Sequence, residues 1–410
     1  MGKLKFLSKY QHGNLRNRQL NQQLDIIRYL SKSKTGRSIP EIAKHIKSSV
    51  PTITKMVKEL FDSKCIIEEG KRATDNGRRP TLYAINLENF YVVGVEILSK
   101  FIHVSIVRID FETVYKEFNR EFRLEDTDEC LHYIRDYIHN AIQQSGIKNE
   151  KIIGIGIGMR GDVNGHTGEH SRFFNRFVSF KTFLEQELKL PVRVDNDTRS
   201  IGIAEQILGQ AKGVGNVLVI KVSRSLGLSI ILNKTMIMGS VGFAGNFAHT
   251  QFLNNDVEDS RLCTCGKMDC LGTVVSGEAL QNDLINALNN NRQSIYLKRE
   301  NKDNYQYHDV LDAVLKGDAL AIDLLQIQGD KLGQALGNLI NLLNPDLILI
   351  GGEFVMVEDF FIDSIKMGIK KTALVDAMLS CKIKLSDLGR YLGSKAGACM
   401  LLKACDLVEY

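Results

Sequence analysis

Nowhere in the 410 residues do apolar side chains continue for the roughly 18 uninterrupted positions that a membrane-spanning helix needs. The N-terminus, MGKLKFLSKYQHGN, is basic, yet it lacks the apolar core and small-residue cleavage site of a secretion signal and reads as a solvated tail. Both absences argue against membrane insertion and export and point to the cytoplasm. In that compartment the eight cysteines are expected as reduced thiols or metal ligands, not disulfides. What is present suits a soluble globular protein, with 44% hydrophobic and 25% charged residues. The length fits two or three domains.

The net charge of +5 conceals an asymmetry. Residues 1–88 hold 18 Lys and Arg against 8 Asp and Glu, a net of +10; the remainder holds 35 against 40, a net of −5. A basic head on a mildly acidic body suggests that the head meets a polyanion.

Within the head, Leu20, Leu24, Ile27 and Leu30 recur at helical spacing. Ser38 and Glu41 have capping-box spacing, and Ile42, Ala43 and Ile46 give the following short helix an apolar face. After the turn Lys47-Ser48-Ser49, a second helix is expected from about Val50 to Ser63, with Pro51 tolerated in its first turn. Val50, Ile53, Val57, Leu60 and Phe61 should face inward. Ser49, Thr52, Thr54, Lys55 and Lys58 are left outside, where hydroxyls suit phosphates or base edges and lysines suit phosphates. Two short helices joined by so tight a turn match a helix-turn-helix. Cys65–Asn86 then reads as a wing: a strand from Ile66, a return strand Leu82–Ile85, and between them a basic turn with Asn76-Gly77. Arg78 and Arg79 at its tip suit a minor groove or a phosphate clamp. A winged helix used only for protein contacts is the alternative.

From Tyr91 the pattern becomes strand, strand, strand, helix, strand, and it recurs later with NVLVIKV, LGLSIILN, TMIMGS and DLILIGG. Such recurrence suggests a duplicated α/β body with two lobes. The expected organisation is therefore a winged helix-turn-helix over residues 1–88 and a body over 89–410. Its lobes would cover roughly 89–195, together with the C-terminal helix, and 196–390.

The chain resembles the ROK family (repressors, open reading frames and kinases) over essentially its whole length. The residues that carry the resemblance are Asp195-Asn196-Asp197, Ala244 to His249, Cys263-Thr-Cys265-Gly266-Lys-Met-Asp-Cys270, and Asn344-Pro345-Asp346 through Gly351-Gly352. The resemblance implies an actin-like sugar-kinase fold, used either by kinases or by sugar-responsive regulators with an added winged helix.

Three thiols within eight residues, Cys263, Cys265 and Cys270, can converge on one tetrahedral Zn²⁺ and need a fourth ligand. His249 is the nearest upstream candidate, and the resemblance implies that it completes a closed, structural site. Free or redox-active thiols are the alternative. The family pattern has a second glycine where this chain has Asp269.

Sugar kinases of this fold open their body with a strand ending in Asp-x-Gly-Gly-Thr, whose backbone approaches phosphate closely. Here the matching stretch is Glu96-Ile97-Leu98-Ser99, without either glycine. Ser223-Arg224-Ser225-Leu226-Gly227 replaces a second glycine-rich segment. The reading is a kinase fold without kinase activity. The resemblance further implies a sugar site at Asn196, Asp197, Asn246 and His249, with Asp197 as a vestigial base. Two of that site's carboxylates are absent, however, replaced by Asn246 and Gly272. Asn196-Asp197 as a mere turn or helix cap is the plain alternative.

The expectation is a DNA-binding regulator of carbohydrate-related genes, and a repressor. It would form a homodimer or homotetramer on a palindromic duplex operator, with a sugar or sugar derivative as effector. An active sugar kinase with an auxiliary head, or a regulator controlled by a protein partner, are the other readings.

Overall fold

The computed structural model describes residues 18–71, 80–174, 179–252, 260–388 and 392–408. The chain divides into two compact units, Met1–Ile207 with Leu392–Tyr410, and Leu208–Tyr391.

The first unit begins with α1 (Arg18–Ser31), the short strand β1 (Arg37–Ser38), α2 (Ile39–Ile46), α3 (Val50–Asp62), β2 (Ile66–Lys71) and β3 (Thr81–Ile85). Leu24, Ile27 and Leu30 are buried as their spacing predicts, joined by Ile26. Glu41 reaches back over the start of α2, its carboxylate accepting from the Ser38 N–H at 2.9 Å and the Ser38 hydroxyl at 2.6 Å. The helix ends at Lys47 in the left-handed region, φ 54. Ser49 starts α3 by accepting from the Thr52 N–H at 3.3 Å. β2 and β3 pair antiparallel with β1 on the far edge of β3. This is a winged helix-turn-helix. Its wing tip, with Arg78 and Arg79, lies outside the described residues.

The inward face of α3 differs from expectation at both ends. Ile53, Val57 and Leu60 are buried, but Val50 is 47% and Phe61 42% exposed, and Met56 at 4% takes a core place. Val50 is the first residue of the helix and Phe61 lies in its last turn, so neither has a full turn beyond it to pack against. Phe61 instead meets the edge of Tyr83 at 6.5 Å.

Beyond the head the first unit carries β4 (Tyr91–Ile97), β5 (Ile102–Arg108), β6 (Thr113–Asn119), α4 (Asp128–Gln144), β7 (Ile152–Met159), α5 (Phe180–Leu188), β8 (Val192–Asn196) and α6 (Asp197–Leu208). Its sheet has the order β6-β5-β4-β7-β8, antiparallel through β4 and parallel from β4 to β8.

The second unit carries β9 (Val217–Val222), β10 (Leu226–Leu232), β11 (Thr235–Met236), α7 (Gly277–Asn289), α8 (Tyr307–Leu315), α9 (Ala319–Leu343), β12 (Leu347–Gly351), α10 (Glu358–Thr372), α11 (Val375–Ser380) and β13 (Lys382–Leu385). Its sheet runs β11-β10-β9-β12-β13 with the same senses of pairing. The two sheets are therefore repeats, the duplication that the strand order in the sequence suggests.

Helix α12 (Leu392–Ala404) returns to the first unit and lies on β4 and β7. Every residue of these two strands is buried, as covered parallel strands require. The helix comes close because the sheet lacks side chains beneath it. A Cβ on Gly94 would stand 2.0 Å from the Ser394 carbonyl oxygen, and one on Gly156 1.9 Å from that of Gly397. Helix α6 joins the same unit almost to its end. Its Ser200 hydroxyl lies 3.7 Å from the Met400 sulfur, and its Gln206 accepts from Lys403 at 2.8 Å.

Candidate functional sites

Ser49 at the N-cap of α3 and Thr54, Lys55 and Lys58 along it are exposed, and Thr52 is half-buried. The Ser49 and Thr52 hydroxyls lie 2.8 Å apart, and the Thr54 hydroxyl donates to the Val50 carbonyl at 2.8 Å. Both threonines thus hold fixed rotamers, with one face of the helix turned to solvent.

In the second unit the structure brings His249, Cys263, Cys265 and Cys270 together, their donor atoms all within 4.8 Å of one another. His249 ends a single helical turn, Phe247–His249. The Cys263 sulfur lies 3.5 Å from His249 Nδ1, and the Cys265 and Cys270 sulfurs lie 3.6 Å apart. A tetrahedral metal bonded at about 2.3 Å to sulfur and about 2.0 Å to nitrogen places such pairs about 3.5 and about 3.8 Å apart. The donor set therefore fits a metal ion. Two left-handed residues shape the loop, Gly266 at φ 85 and Asp269 at φ 57. Asp269 stabilises its own unusual backbone: its carboxylate accepts from the Ser260 hydroxyl at 2.8 Å and the Arg261 N–H at 2.9 Å. Burial pushes the Cys270 thiol up to about 12, whereas the Lys267 N–H lowers that of Cys265. A metal would reverse the first effect by holding the thiolate.

The segment Glu96–Ser99 is closed on itself. The Leu98 N–H donates to the Phe101 carbonyl at 3.0 Å, the Ser99 carbonyl accepts from Leu124 N–H at 3.0 Å, and the Ser99 hydroxyl contacts the Arg160 guanidinium. Glu96 is 4% exposed. Its carboxylate fills the space at the start of α12, where a Cβ on Gly393 would lie 1.8 Å from the carboxyl carbon. In the second unit the carbonyls of Ser223 and Arg224 accept from the N–H groups of Gly277 and Glu278 at 2.7 and 3.1 Å. The first donors of α7, the kind of group that binds phosphate at a helix N-terminus, are taken by protein.

Asn196 and Asp197 lie in the first unit, Asn246 and His249 in the second. The Asn196 side chain is committed locally. Its oxygen accepts from the Thr198 and Arg199 N–H groups at 2.9 and 3.2 Å, capping α6, and its amide donates to the Gly161 carbonyl at 2.9 Å. Asp197 is buried at 8% exposure in the first turn of that helix. Asn246 is exposed. A Cβ on Gly272 would stand 3.1 Å from that of Ala248. The sequence reading overlooked Arg199, which pairs with Asp195 at 2.6 Å with both side chains buried. Their i,i+4 spacing across the start of α6 was the available signal.

Comparisons with known proteins bear on the family and the fold. The ROK family model matches residues 92–404. The xylose repressor of Caldicellulosiruptor bescii is 24% identical over 374 residues, covering 90% of this chain and 92% of its own. A crystal structure of a ROK family transcriptional regulator, described as a homologue of the E. coli MLC protein, superposes with a TM-score of 0.78. It is 23% identical and covers 94% of this chain and 97% of its own. A ROK family glucokinase from Streptomyces griseus gives a TM-score of 0.64 at 22% identity, covering 77% of this chain and 99% of its own.

Proposed function

The chain belongs to the ROK family, and from that premise we propose that it is a sequence-specific DNA-binding transcriptional repressor of carbohydrate-related genes. The observation that carries this reading is the solvent-facing side of α3, with its hydroxyls and lysines on a head of net charge +10. Ser49, Thr52 and Thr54 supply short polar contacts to base edges and phosphates, while Lys55 and Lys58 neutralise phosphates. Arg78 and Arg79 of the wing add a contact in the neighbouring groove. A homodimer presents two such helices to the halves of a palindromic operator.

The cluster at His249, Cys263, Cys265 and Cys270 holds Zn²⁺ in a structural role, because four protein ligands leave no position for substrate. The effector is a sugar or sugar derivative; Asp197 is its candidate contact in the first unit, where Asn196 sets the start of α6, and Asn246 and His249 are the candidates in the second. Such an effector shifts DNA affinity only by its differential affinity for the two arrangements of the protein. The body does not phosphorylate sugars. Asp197 is read as a vestigial base, since Glu96-Ile97-Leu98-Ser99 lacks both glycines of the phosphate loop that the family resemblance implies, and phosphoryl transfer rests on anchoring phosphate.

The test is selection of duplex DNA by the purified full-length protein, repeated with sugars and sugar phosphates. A palindromic site is expected. Lys55→Ala should weaken binding across sequences and reduce the salt slope by about 1, whereas Thr54→Ala should alter base preference. A protein that ignores DNA at low salt overturns the reading. In a parallel coupled assay across hexoses and N-acetylated sugars, ATP consumption should stay at background. Turnover near ~1 s⁻¹ that vanishes in Asp197→Asn identifies an active kinase instead.

A further inference from the structure

Helix α3 presents an apolar edge to solvent where its sequence pattern places core. Val50, its first residue, is 47% exposed, and Pro51 beside it is exposed as well. Thr54 lies one turn beyond Val50, its i,i+4 neighbour on the same side of the helix. The Thr54 hydroxyl donates to the Val50 carbonyl at 2.8 Å, which leaves the methyl as the free end of that side chain. The polar groups around this edge are turned toward the helix itself. The Ser49 hydroxyl accepts from the Thr52 N–H at 3.3 Å and lies 2.8 Å from the Thr52 hydroxyl, while Pro51 has no N–H to offer. The start of α3 therefore shows its surroundings methyl groups as well as hydroxyls.

Charge decides what covers this edge. Lys55 and Lys58 follow Pro51 at i+4 and i+7 and are both exposed, on a head of net charge +10. An apolar protein partner would leave both ammonium groups facing apolar surface. A duplex accepts them, because phosphates border the major groove that receives the second helix of a helix-turn-helix, its N-terminal residues nearest the bases. In that groove the apolar group that a base pair presents is the 5-methyl of thymine. We propose that Val50, with the methyl of Thr54 beside it, reads a thymine through its 5-methyl group, so that Val50 is a specificity-determining residue. This rests on the DNA-binding function proposed above and adds to it a base identity that hydroxyls and lysines do not supply.

The test takes the full-length protein and the duplex it selects, and replaces each thymine of a half-site in turn, in both halves, by deoxyuridine. Deoxyuridine keeps the base pairing and removes only the methyl. At one position the replacement should weaken binding about fourfold per half-site, the effect of leaving one methyl group without its apolar contact. Val50→Ala should bind the thymine duplex more weakly by a like factor, should no longer distinguish thymine from deoxyuridine there, and should keep the wild-type salt slope. Its thermal midpoint should match wild type, since the side chain is exposed at the start of a helix. Lys55→Ala should weaken both duplexes equally.

Three results overturn the proposal and leave DNA binding standing. One is the absence of any thymine whose replacement weakens binding. Another is a Val50→Ala protein as sensitive to the replacement as wild type, which assigns the methyl's effect to duplex stiffness or to another side chain. The third is a uniform loss in Val50→Ala with the thymine preference intact, the mark of a merely structural role. A protein that selects no duplex at all removes the proposal together with the function it rests on.

Discussion

His103 on β5 is 6% exposed, its Nδ1 has no hydrogen-bond partner, and its Nε2 lies 3.4 Å from the Ser394 hydroxyl. Burial, with Lys116 adding repulsion, lowers its pKa from 6.5 to about 4. Unfolded, the same imidazole takes up a proton near its ordinary value. Between those two pH values the unfolded chain binds more protons than the folded one, so stability rises with pH. The contribution is complete above about pH 6.5 and is lost as the pH falls toward 4. The prediction is a loss of about 2 kcal/mol between pH 7 and pH 5 from this residue. Urea unfolding of wild type and His103→Phe at the two pH values checks it. The variant should show a shallower pH dependence by that amount; equal dependence in both would refute it. The comparison of slopes removes the contribution of the cysteine cluster, which also weakens in acid. No local pattern signals this residue's state, because FIHVSIVRID reads as a strand whichever side of the sheet α12 covers. Its environment depends on a helix that begins nearly 300 residues later.

At the level of elements, much was legible. Stripes at 3.6 spacing marked α1, α2 and α3, and the recurring strand pattern anticipated two sheets that share one strand order. Legibility failed where an element ends or where a side chain serves its own backbone. Val50 and Phe61 match the inward stripe of α3 but fall at its ends. Asn196 lies within the family motif yet caps α6. The cysteine loop was the most legible element, because close spacing restricts where thiols can go. His249 arrives there through the turn at Phe247–His249 and not through sequence proximity. Protein purified without added metal should carry about one zinc per chain. Cys265→Ser should release it and lower the unfolding temperature, since metal binding to a loop of this kind is coupled to its folding. Elemental analysis giving a folded but zinc-free wild type would count against the site. Zinc retained at full stoichiometry in Cys265→Ser would remove this thiol from the ligand set.

At the scale of the whole chain, residues 405–407 return to α1. After α12, the Cys405 carbonyl accepts from Arg28 at 3.3 Å, the Leu407 carbonyl accepts from the Ser31 hydroxyl at 2.8 Å, and Asp406 pairs with Lys32 at 2.6 Å. Helix α12 is therefore clamped to β4 and β7 along its length and followed by a segment that holds α1 of the winged head. The contributions are unequal. The Asp406 side chain is 57% exposed, so its ion pair is worth at most about 1 kcal/mol. Leu407 is fully buried, and truncating such a side chain costs about 2–5 kcal/mol. The apolar anchor should dominate. Leu407→Ala is expected to raise hydrogen exchange in α1 markedly and to weaken the coupling between any effector and DNA affinity, while Asp406→Ala leaves both near wild type. Exchange mass spectrometry on the full-length variants reads the first effect directly. If α1 is equally protected in Leu407→Ala and wild type, the tail does not hold the head. A larger effect from Asp406→Ala would mean that charge, not burial, sets the attachment, and it should then weaken steeply with salt.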